Sequence, residues 1–202
     1  MIVIVDYGVG NLFSLISSFG AIGADITVTS DAEDIRSATK IVLPGVGAFE
    51  DAAKKLRESG LDEVIKERAQ AGVPLLGICL GMQLLFETSY EYGEHQGLGL
   101  IKGEIRAINE VAEDLKVPHI GWNALHFRNP KSRLFKYVND GDHVYFVHSY
   151  YGTNCEESIS ATAEYGAELT AAVEHKNVFG CQFHPEKSGS VGLKILKAFC
   201  EM

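Results

Sequence analysis

A cysteine between two glycines is the pattern in this sequence best suited to covalent chemistry. Gly77, Cys79 and Gly81 follow the apolar run 73–76, which predicts a buried strand, and precede the apolar run 84–86, which predicts a buried helix. A nucleophile flanked in this way at a strand-to-helix turn forms a nucleophile elbow, whose backbone is strained. We therefore predict that Cys79 lies at a helix N-terminus, where the positive end of the dipole favours the thiolate.

The backbone N–H that follows the nucleophile, that of Leu80, is expected to point at a developing oxyanion. A cysteine alone is weak evidence for catalysis, because free cysteines are often buried and usually only pack. The flanking glycines and the strand-to-helix context favour the reactive interpretation. A second signal is needed, and it lies near the other end of the chain.

That signal is His184, Pro185 and Glu186, which follow a strand predicted over residues 178–183. Side chains two residues apart in an extended segment point to the same face. We therefore expect the imidazole of His184 to face the sulfur of Cys79, with the carboxylate of Glu186 behind it. A nucleophile, a base and an orienting acid make a catalytic triad. A surface turn would explain these three residues equally well by themselves, so the prediction depends on the elbow.

The elements that must position these residues alternate between strand and helix. Strands are predicted at 2–5, 25–29 and 40–43, and helices around Leu12 to Gly20 and Leu61 to Ala69. This alternation predicts an α/β fold with an open, mixed, mostly parallel sheet flanked by helices. Loops at the carboxyl ends of such strands lie along one edge, where sites form. The glycine-bearing loops 6–11, 44–47 and 77–81 are expected at that edge.

Beyond about residue 97 the pattern changes to strands with few helices between them. The predicted strands cover residues 103–108, 142–150, 158–165, 169–175 and 177–183, and an amphipathic helix covers 191–199. We expect these strands to be antiparallel additions to the sheet. The acidic segment 110–114 is predicted to be an exposed turn. With no linker and no repeat, residues 1–202 are predicted to form one domain.

Composition limits the function further. The chain has 202 residues, 46% of them hydrophobic, and a net charge of −9, which argues against a nucleic-acid binder. No apolar run approaches the length of a membrane span, and residues 1–5 lack a basic region and suit a first strand better than a signal peptide. The four cysteines form no C-x-x-C pair or disulfide framework, so we predict a reducing, cytoplasmic environment.

Metal and nucleotide sites are not predicted. The seven histidines include no H-x-x-x-H pair, and no cysteine accompanies them in a ligand pattern. Gly8 and Gly10 suggest a dinucleotide fingerprint, but its third glycine would fall at Phe13. The loop 44–47 lacks the Lys-Ser/Thr ending of a phosphate-binding loop.

Taken together, the motifs at 77–83 and 183–188 resemble those of the class I, triad-type glutamine amidotransferases. The segments 6–12, 44–49 and 118–123 are similar to one branch of that family, the glutaminase subunits of imidazole glycerol phosphate synthases. The resemblance covers essentially the whole chain. It implies a flavodoxin-like fold and an enzyme without a cofactor that hydrolyses L-glutamine to glutamate and ammonia through Cys79, His184 and Glu186.

The resemblance also implies roles for residues around this triad. The loop at Val46 and Gly47 would supply the second oxyanion donor, next to Leu80. The substrate glutamine would be held by Gly47, Leu80, Gln83, His148, Ser149 and Tyr150. For the glutamine at position 83 itself, exposure to solvent is the simpler interpretation when the residue is taken alone.

A protein partner is implied as well. The ammonia would pass to a cyclase subunit that forms imidazole glycerol phosphate and AICAR from PRFAR in histidine biosynthesis. Asn11, Trp122, Tyr145 and Lys187 would lie near that partner. Two alternatives stay open: the glutaminase of another pathway, such as pyridoxal phosphate synthesis, and a non-catalytic regulatory module on the same fold. The segments 6–12 and 118–123 argue against the first, and the intact triad argues against the second.

Overall fold

The computed structural model describes residues 1–112 and 115–202. The first part of the chain contains β1 (Ile2–Val5), α1 (Leu12–Ala21), β2 (Ile26–Thr29), α2 (Ala32–Ser37), β3 (Lys40–Leu43), α3 (Phe49–Ser59), α4 (Leu61–Gln70), β4 (Leu75–Ile78) and α5 (Leu80–Leu84). The rest contains β5 (Phe86–Ser89), β6 (His95–Gln96), β7 (Ile101–Ala107), β8 (His119–Ala124), β9 (His126–Phe127), β10 (His143–His148), β11 (Tyr150–Thr153), β12 (Ile159–Glu164), β13 (Glu168–His175), β14 (Val178–Cys181) and α6 (Gly189–Cys200).

The central sheet has the strand order β2-β1-β3-β4-β14-β13-β12-β9. The first five strands run parallel to their neighbours, and β13, β12 and β9 continue the sheet in antiparallel pairs. The first five positions reproduce the 2-1-3-4-5 order of flavodoxin-like sheets. The predicted open, mixed, mostly parallel sheet with antiparallel additions is therefore confirmed.

Helices cover both faces of this sheet, which explains why β1, β4 and β14 are buried along their whole length. Val3 and Val5 of β1 pack in a cluster with α2, α3 and α4, whereas Ile2 and Ile4 pack in a second cluster with α1 and α6. The side chain of Asp31 caps α2 by accepting hydrogen bonds from the backbone N–H groups of Glu33 and Asp34. Two smaller sheets, β11-β7-β5-β6 and the two-stranded ribbon β10-β8, complete the described structure.

Several sequence-based assignments were wrong. Helices α2 and α3 were not predicted, and the helix after the elbow ends at Leu84 instead of continuing through residue 86. The carbonyls of Leu84 and Leu85 accept hydrogen bonds from the backbone N–H groups of Leu98 and Leu100. The segment that follows is therefore extended and forms β5 of the four-stranded sheet. The predicted strand 177–183 ends at Cys181 and pairs parallel with β4 and antiparallel with β13. The strands predicted at 103–108 and 142–150 lie in the two smaller sheets and are not additions to the central sheet.

The acidic segment 110–114 is only partly covered, because Glu113 and Asp114 lie outside the described residues. Ile108–Glu110 forms a short 3-10 helix. Within residues 1–112 and 115–202, no helix combines the length and the apolar character needed to cross a bilayer. Cys79, Cys155, Cys181 and Cys200 all lie in the described ranges, and all four are free thiols.

Candidate active site

Cys79 lies at a sharp turn between β4 and α5. Its backbone has φ 54° and ψ −113°, a conformation that non-glycine residues rarely adopt and that costs energy to hold. The N–H of Cys79 donates to the carbonyl of Cys181 in the neighbouring strand at 2.7 Å. The strained elbow predicted from the glycine pattern is present, and the central sheet holds it in place.

The two glycines of the elbow are required by close packing. A Cβ at Gly81 would lie 1.9 Å from the carbonyl oxygen of Leu43, at the end of β3. A Cβ at Gly77 would lie 2.6 Å from the carbonyl oxygen of Gly81. A larger residue at Gly81 would push α5 away from β3, and one at Gly77 would push α5 away from β4, so either would move the thiol.

The helix that follows the nucleophile has only five residues, from Leu80 to Leu84. A helix of this length has a smaller dipole than one that continued through residue 86, as the sequence predicted. The helix therefore contributes less to stabilising a thiolate than the sequence interpretation assumed. A stronger positive partner for the sulfur is His184.

His184 and Glu186 are both buried beside the elbow, with side chains 3% and 2% exposed. The Nδ1 atom of His184 lies 2.7 Å from Oε1 of Glu186, and His184 lines the same cavity as Cys79. Oε2 of Glu186 has no hydrogen-bond partner among the described residues. The charge of this buried carboxylate therefore acts mainly on the imidazole of His184.

The route that brings His184 and Glu186 together differs from the one predicted. They do not alternate along a strand, because β14 has already ended and Pro185–Lys187 forms a 3-10 helix that begins at a proline. The hydroxyl of Ser188 donates to the His184 carbonyl at 2.6 Å, and the N–H of His184 donates to the carbonyl of Tyr145 at 3.0 Å. One tight turn, tied to β10, positions both side chains.

The protonation state of His184 suits catalysis by a thiolate. Burial by itself would lower the pKa of this imidazole, but its interactions with Cys79 and Glu186 outweigh burial and raise the pKa to about 9. At neutral pH the ring is therefore an imidazolium. An imidazolium placed beside a cysteine favours the thiolate form and can later donate a proton.

The loop expected to complete an oxyanion hole lies beside the elbow. A Cβ at Gly45 would lie 2.9 Å from the backbone N of Gly81, so this part of the loop is fixed by packing. Gly47 has φ +95°, and a Cβ there would meet no atom within 4 Å. Gly47 is therefore the sterically open position of the loop, whereas Gly45 is closely packed.

A cavity of about 370 Å³ opens over Cys79. Its walls include all the positions predicted for the oxyanion hole and for glutamine binding, together with two of the triad: Val46, Gly47, Cys79, Leu80, Gln83, His148, Ser149, Tyr150 and His184. Glu186 lies behind His184. The structure thus brings together every residue predicted for the chemical site.

The four residues predicted to face a partner are more dispersed. Lys187 lines the mouth of the cavity. Trp122 and Tyr145 pair edge to face on the β8–β10 ribbon, with ring centroids 6.0 Å apart, and Trp122 is 54% exposed. Asn11 caps α1 by accepting from the N–H of Ser14 at 3.4 Å, which is a structural role that the sequence interpretation did not include.

Gln83 is buried, and its amide nitrogen is already engaged within the protein. Nε2 donates to the carbonyl of Tyr150 and to Oε1 of Gln182, both at 3.1 Å. Only the Oε1 atom of Gln83 therefore stays available to a ligand. An acceptor suits an ammonium group and not a carboxylate, which narrows the role expected for this residue.

Two residues of the site were missed by the sequence interpretation. Gln182 is fully buried, and its Nε2 lies 3.9 Å from the sulfur of Cys79. A polar residue inside the apolar run 178–183 was a signal that could have revealed it. Glu91 lines the cavity and accepts from the N–H of Phe49 at 2.8 Å. Its position in a loop between short strands left no comparable signal.

The ionisation of Glu91 reflects its surroundings. Burial raises the pKa of this carboxyl group, and the hydrogen bond from Phe49 and the nearby His95 partly oppose the rise. Among the described residues, no group of three or more His, Cys, Asp or Glu side chains is arranged to hold a metal ion. The chemistry available in the cavity is that of a thiol beside an imidazole that carries a proton at neutral pH.

A buried thiol nucleophile with an imidazole and a carboxylate, at the carboxyl edge of a flavodoxin-like sheet, defines a class of amide-cleaving enzymes. The family model "Glutamine amidotransferase class-I" matches residues 3–202. The chain belongs to the class-I glutamine amidotransferase family, which confirms the resemblance seen in the sequence.

The curated relatives are more specific. The chain is 50% identical over 201 residues to "Imidazole glycerol phosphate synthase subunit HisH" from Lactococcus lactis subsp. lactis, covering 99% of this chain and 98% of that protein. It is 49% identical to the protein of the same name from Caldanaerobacter subterraneus subsp. tengcongensis, covering 100% and 98%. Among solved structures, "Structure of PurLQS from Thermotoga maritima" has a TM-score of 0.77 at 20% identity and covers 99% of this chain and 97% of that chain, which shows the shared fold.

Proposed function

We propose that this chain is the glutaminase subunit of an imidazole glycerol phosphate synthase. It hydrolyses L-glutamine to glutamate and ammonia and supplies the ammonia to a cyclase subunit, which forms imidazole glycerol phosphate and AICAR from PRFAR in histidine biosynthesis. The observation that carries this proposal is the buried alignment of Cys79, His184 and Glu186 under a cavity large enough for one amino acid. The full-length identity of about 50% to the HisH proteins supports it.

The geometry supports a two-step reaction. The thiolate of Cys79 attacks the carboxamide carbon, and the N–H groups of Leu80 and of the loop at Gly47 stabilise the tetrahedral anion. The imidazolium of His184 gives its proton to the leaving nitrogen, which departs as ammonia and leaves a glutamyl thioester. His184 then accepts a proton from water as that water attacks the thioester, and glutamate is released while the thiolate is restored. Glu186 holds Nδ1 of His184 throughout.

The α-amino and α-carboxylate groups of glutamine need partners at the other end of the cavity. We propose that the ammonium group binds between Oε1 of Gln83 and the carboxylate of Glu91, which both line the wall. The substrate carboxylate would accept from backbone N–H groups of Ser149 and Tyr150. These contacts place the side-chain amide of glutamine over Cys79.

The cyclase subunit is proposed to dock at the carboxyl edge of the sheet. Support comes from the exposed apolar side chains there, since Ile120 and Trp122 are 59% and 54% exposed on the outer face of the β8–β10 ribbon. Tyr145 lies on the same face, and Lys187 and Asn11 lie near the cavity and the start of α1. We also propose that residues 1–202 act as one domain, because β1 and β14 share one sheet, and that the free thiols reflect a cytoplasmic location.

The isolated chain is proposed to be a poor glutaminase that the cyclase stimulates, because ammonia released without an acceptor is wasted. Rotation of the peptide at Gly47 is the proposed gate, since that position is sterically open. In one orientation an N–H points at the oxyanion, and in the other a carbonyl does. Loss of one oxyanion donor typically lowers turnover by about 10²–10³-fold.

The test is to combine the chain with the cyclase subunit from the same organism and to measure imidazole glycerol phosphate formed from PRFAR and glutamine. Synthesis is expected with this cyclase and not with the synthase subunit of pyridoxal phosphate formation. Labelling by an electrophilic glutamine analogue is expected at Cys79. A chain that takes no label and supports no synthesis would instead be a regulatory module.

A further inference from the structure

Three polar side chains on the inner face of the β8–β10 ribbon form a hydrogen-bonded series that takes no part in the proposed bond-making and bond-breaking steps. Oδ1 of Asn123 lies 2.8 Å from Nε2 of His119, and Nδ1 of His119 lies 3.0 Å from Nε2 of His148. Nδ1 of His148 lies 2.8 Å from the carbonyl oxygen of Tyr150. That same carbonyl accepts from Gln83. These hydrogen bonds therefore connect the ribbon to the wall of the glutamine cavity.

The hydrogen-bonded series ends in an acceptor on each side, the Oδ1 atom of Asn123 and the carbonyl oxygen of Tyr150. The carbonyl of Tyr150 requires a proton on Nδ1 of His148. The amide nitrogen of Asn123 donates to the carbonyl of Glu164 at 2.8 Å, which turns the Asn123 oxygen toward His119. Three contacts must be filled, but two neutral imidazole rings carry only two protons. His119 must therefore direct its single N–H either to His148 or to Asn123.

The surroundings keep both rings neutral near pH 7. His119 and His148 are 1% and 6% exposed, and His119 is stacked between the rings of Tyr165 and Phe146 at 4.1 and 5.0 Å. Burial lowers the pKa of His119, and it lowers that of His148 to about 3, with the charge of the neighbouring His184 acting in the same direction. At neutral pH the ring of His119 therefore exists as one of two neutral tautomers, with its proton on either Nδ1 or Nε2.

The same two strands carry two aromatic residues on their outer face, the exposed Trp122 and the half-buried Tyr145. The register places Trp122 opposite Tyr145 and His119 opposite His148. Successive side chains of a strand point to opposite faces, so Trp122 faces outward while its neighbour Asn123 faces inward. A partner bound to Trp122 therefore contacts the strand that carries Asn123 and His119 on its other face.

We propose that Asn123, His119 and His148 are positioning residues that couple docking of the cyclase subunit to the wall of the glutamine cavity. Docking weakens the contact between His119 and Asn123 and favours the Nδ1–H tautomer of His119. That tautomer donates to Nε2 of His148 and fixes the ring that holds the Tyr150 carbonyl beside Gln83. This inference rests on the proposed function, because it requires a cyclase subunit on the outer face of the ribbon.

Two substitutions test the coupling and are expected to act in opposite directions. His119→Phe preserves a flat ring between Phe146 and Tyr165 but removes both nitrogens. It is expected to leave the kcat of the isolated chain and the Kd for the cyclase within about twofold of wild type, and to lower the stimulated kcat at least tenfold. Asn123→Ala removes the competing acceptor of His119, and is expected to raise the unstimulated kcat at least threefold.

The matched control is His143→Phe, the same substitution at an exposed position at the other end of β10. Glutamate release is measured with and without the cyclase bound to imidazole glycerol phosphate, and the ring tautomers are read from ¹⁵N chemical shifts. The wild-type His119 is expected to shift toward the Nδ1–H form when the cyclase is added, and the Asn123→Ala protein is expected to show that form already.

A merely structural role would lower basal and stimulated turnover together, and that result would overturn the coupling. If thermal melts show that His119→Phe does not fold, Asn123→Ala decides, and a fall in its unstimulated turnover would refute the inference. A wild-type chain that the cyclase does not stimulate would refute both this inference and the proposed function. A stimulated wild type with an equally stimulated His119→Phe variant would refute only the coupling.

Discussion

At the scale of single residues, the site depends on one buried ion pair. The imidazolium of His184 lies between the thiol of Cys79 and the carboxylate of Glu186, and each partner raises its pKa against the effect of burial. Its folded-state pKa of about 9 exceeds the ordinary value of 6.5. The contribution of the protonated His184 to the free energy of unfolding is therefore fully present below about pH 6.5 and is lost as the pH rises through 9.

This pair predicts the alkaline limb of the pH–rate profile. Glutaminase kcat in the stimulated complex is expected to fall as the pH rises through about 9, where His184 loses the proton that it gives to ammonia. Glu186→Gln removes one of the charges that raise this pKa, so its alkaline limb is expected at lower pH, together with a reduced kcat. Steady-state glutamate release from pH 6 to 10 measures both. Superimposable alkaline limbs would show that the carboxylate does not act on the imidazole.

Gln182 gives a second prediction at this scale. Its amide joins Gln83 to the sulfur of Cys79, so Gln182→Leu leaves Gln83 less well oriented. Loss of one buried hydrogen bond costs about 1–3 kcal/mol, and KM for glutamine is expected to rise roughly fivefold or more, since 1.4 kcal/mol is a factor of ten. The matched control is Gln96→Leu, at an exposed position of β6. An unchanged KM in a folded Gln182→Leu protein would contradict this role.

At the scale of elements, the sequence predicted the parts that are built from local patterns. The elbow was predictable because two glycines must flank a nucleophile where a helix passes this close to a strand. Helix α3 could have been predicted as well, since Phe49, Ala52, Ala53 and Leu56 have helical spacing, but two of the four are alanines and the signal is weak. Helix α2, with six residues, is too short to show a period.

The parts that could not be predicted depend on contacts between distant segments. Residue patterns do not reveal that β8 pairs with β10, or that β14 inserts next to β4. The His184–Glu186 turn shows the same limit. The two residues were identified correctly as neighbours, but an extended segment and a 3-10 turn both satisfy the sequence, and only the packing against Tyr145 distinguishes them.

The oxyanion loop predicts a change that belongs to this scale. Gly47→Ala places an L side chain at φ +95°, where the backbone cost is about 1–3 kcal/mol although a Cβ would meet no neighbour. The stimulated kcat is expected to fall at least tenfold, whereas KM for glutamine changes less than about threefold, because the affected N–H acts on the transition state.

Gly72→Ala is the matched control for this loop. Gly72 has φ +88°, is equally free of neighbours, and lies before the opposite end of β4. It should lower the melting temperature to a similar extent and leave kcat unchanged. Equal kcat values for the isolated and stimulated wild-type chains would remove the basis for a gate at Gly47.

At the scale of the whole molecule, the proposed division of labour can be tested directly. Cys79→Ala is expected to abolish glutamine-dependent synthesis by the complex and to preserve synthesis from ammonium salts at alkaline pH, because the cyclase then receives ammonia from solution. Binding of the variant to the cyclase is the control. Loss of both activities together would mean that Cys79 has some role other than supplying ammonia.

The position of β14 also has a consequence for the nascent chain during its synthesis. This strand fills the place beside β4, and Gln182, just after it, is separated from Cys79 by 103 residues. At a synthesis rate of about 5–20 residues per second, roughly 5–20 s pass between translation of the thiol and of its imidazole. During that interval the nascent chain holds an unpaired apolar strand and an elbow without a base. Ribosome-bound fragments that stop before residue 178 should therefore be inert toward glutamine and prone to associate through the exposed edge of β4.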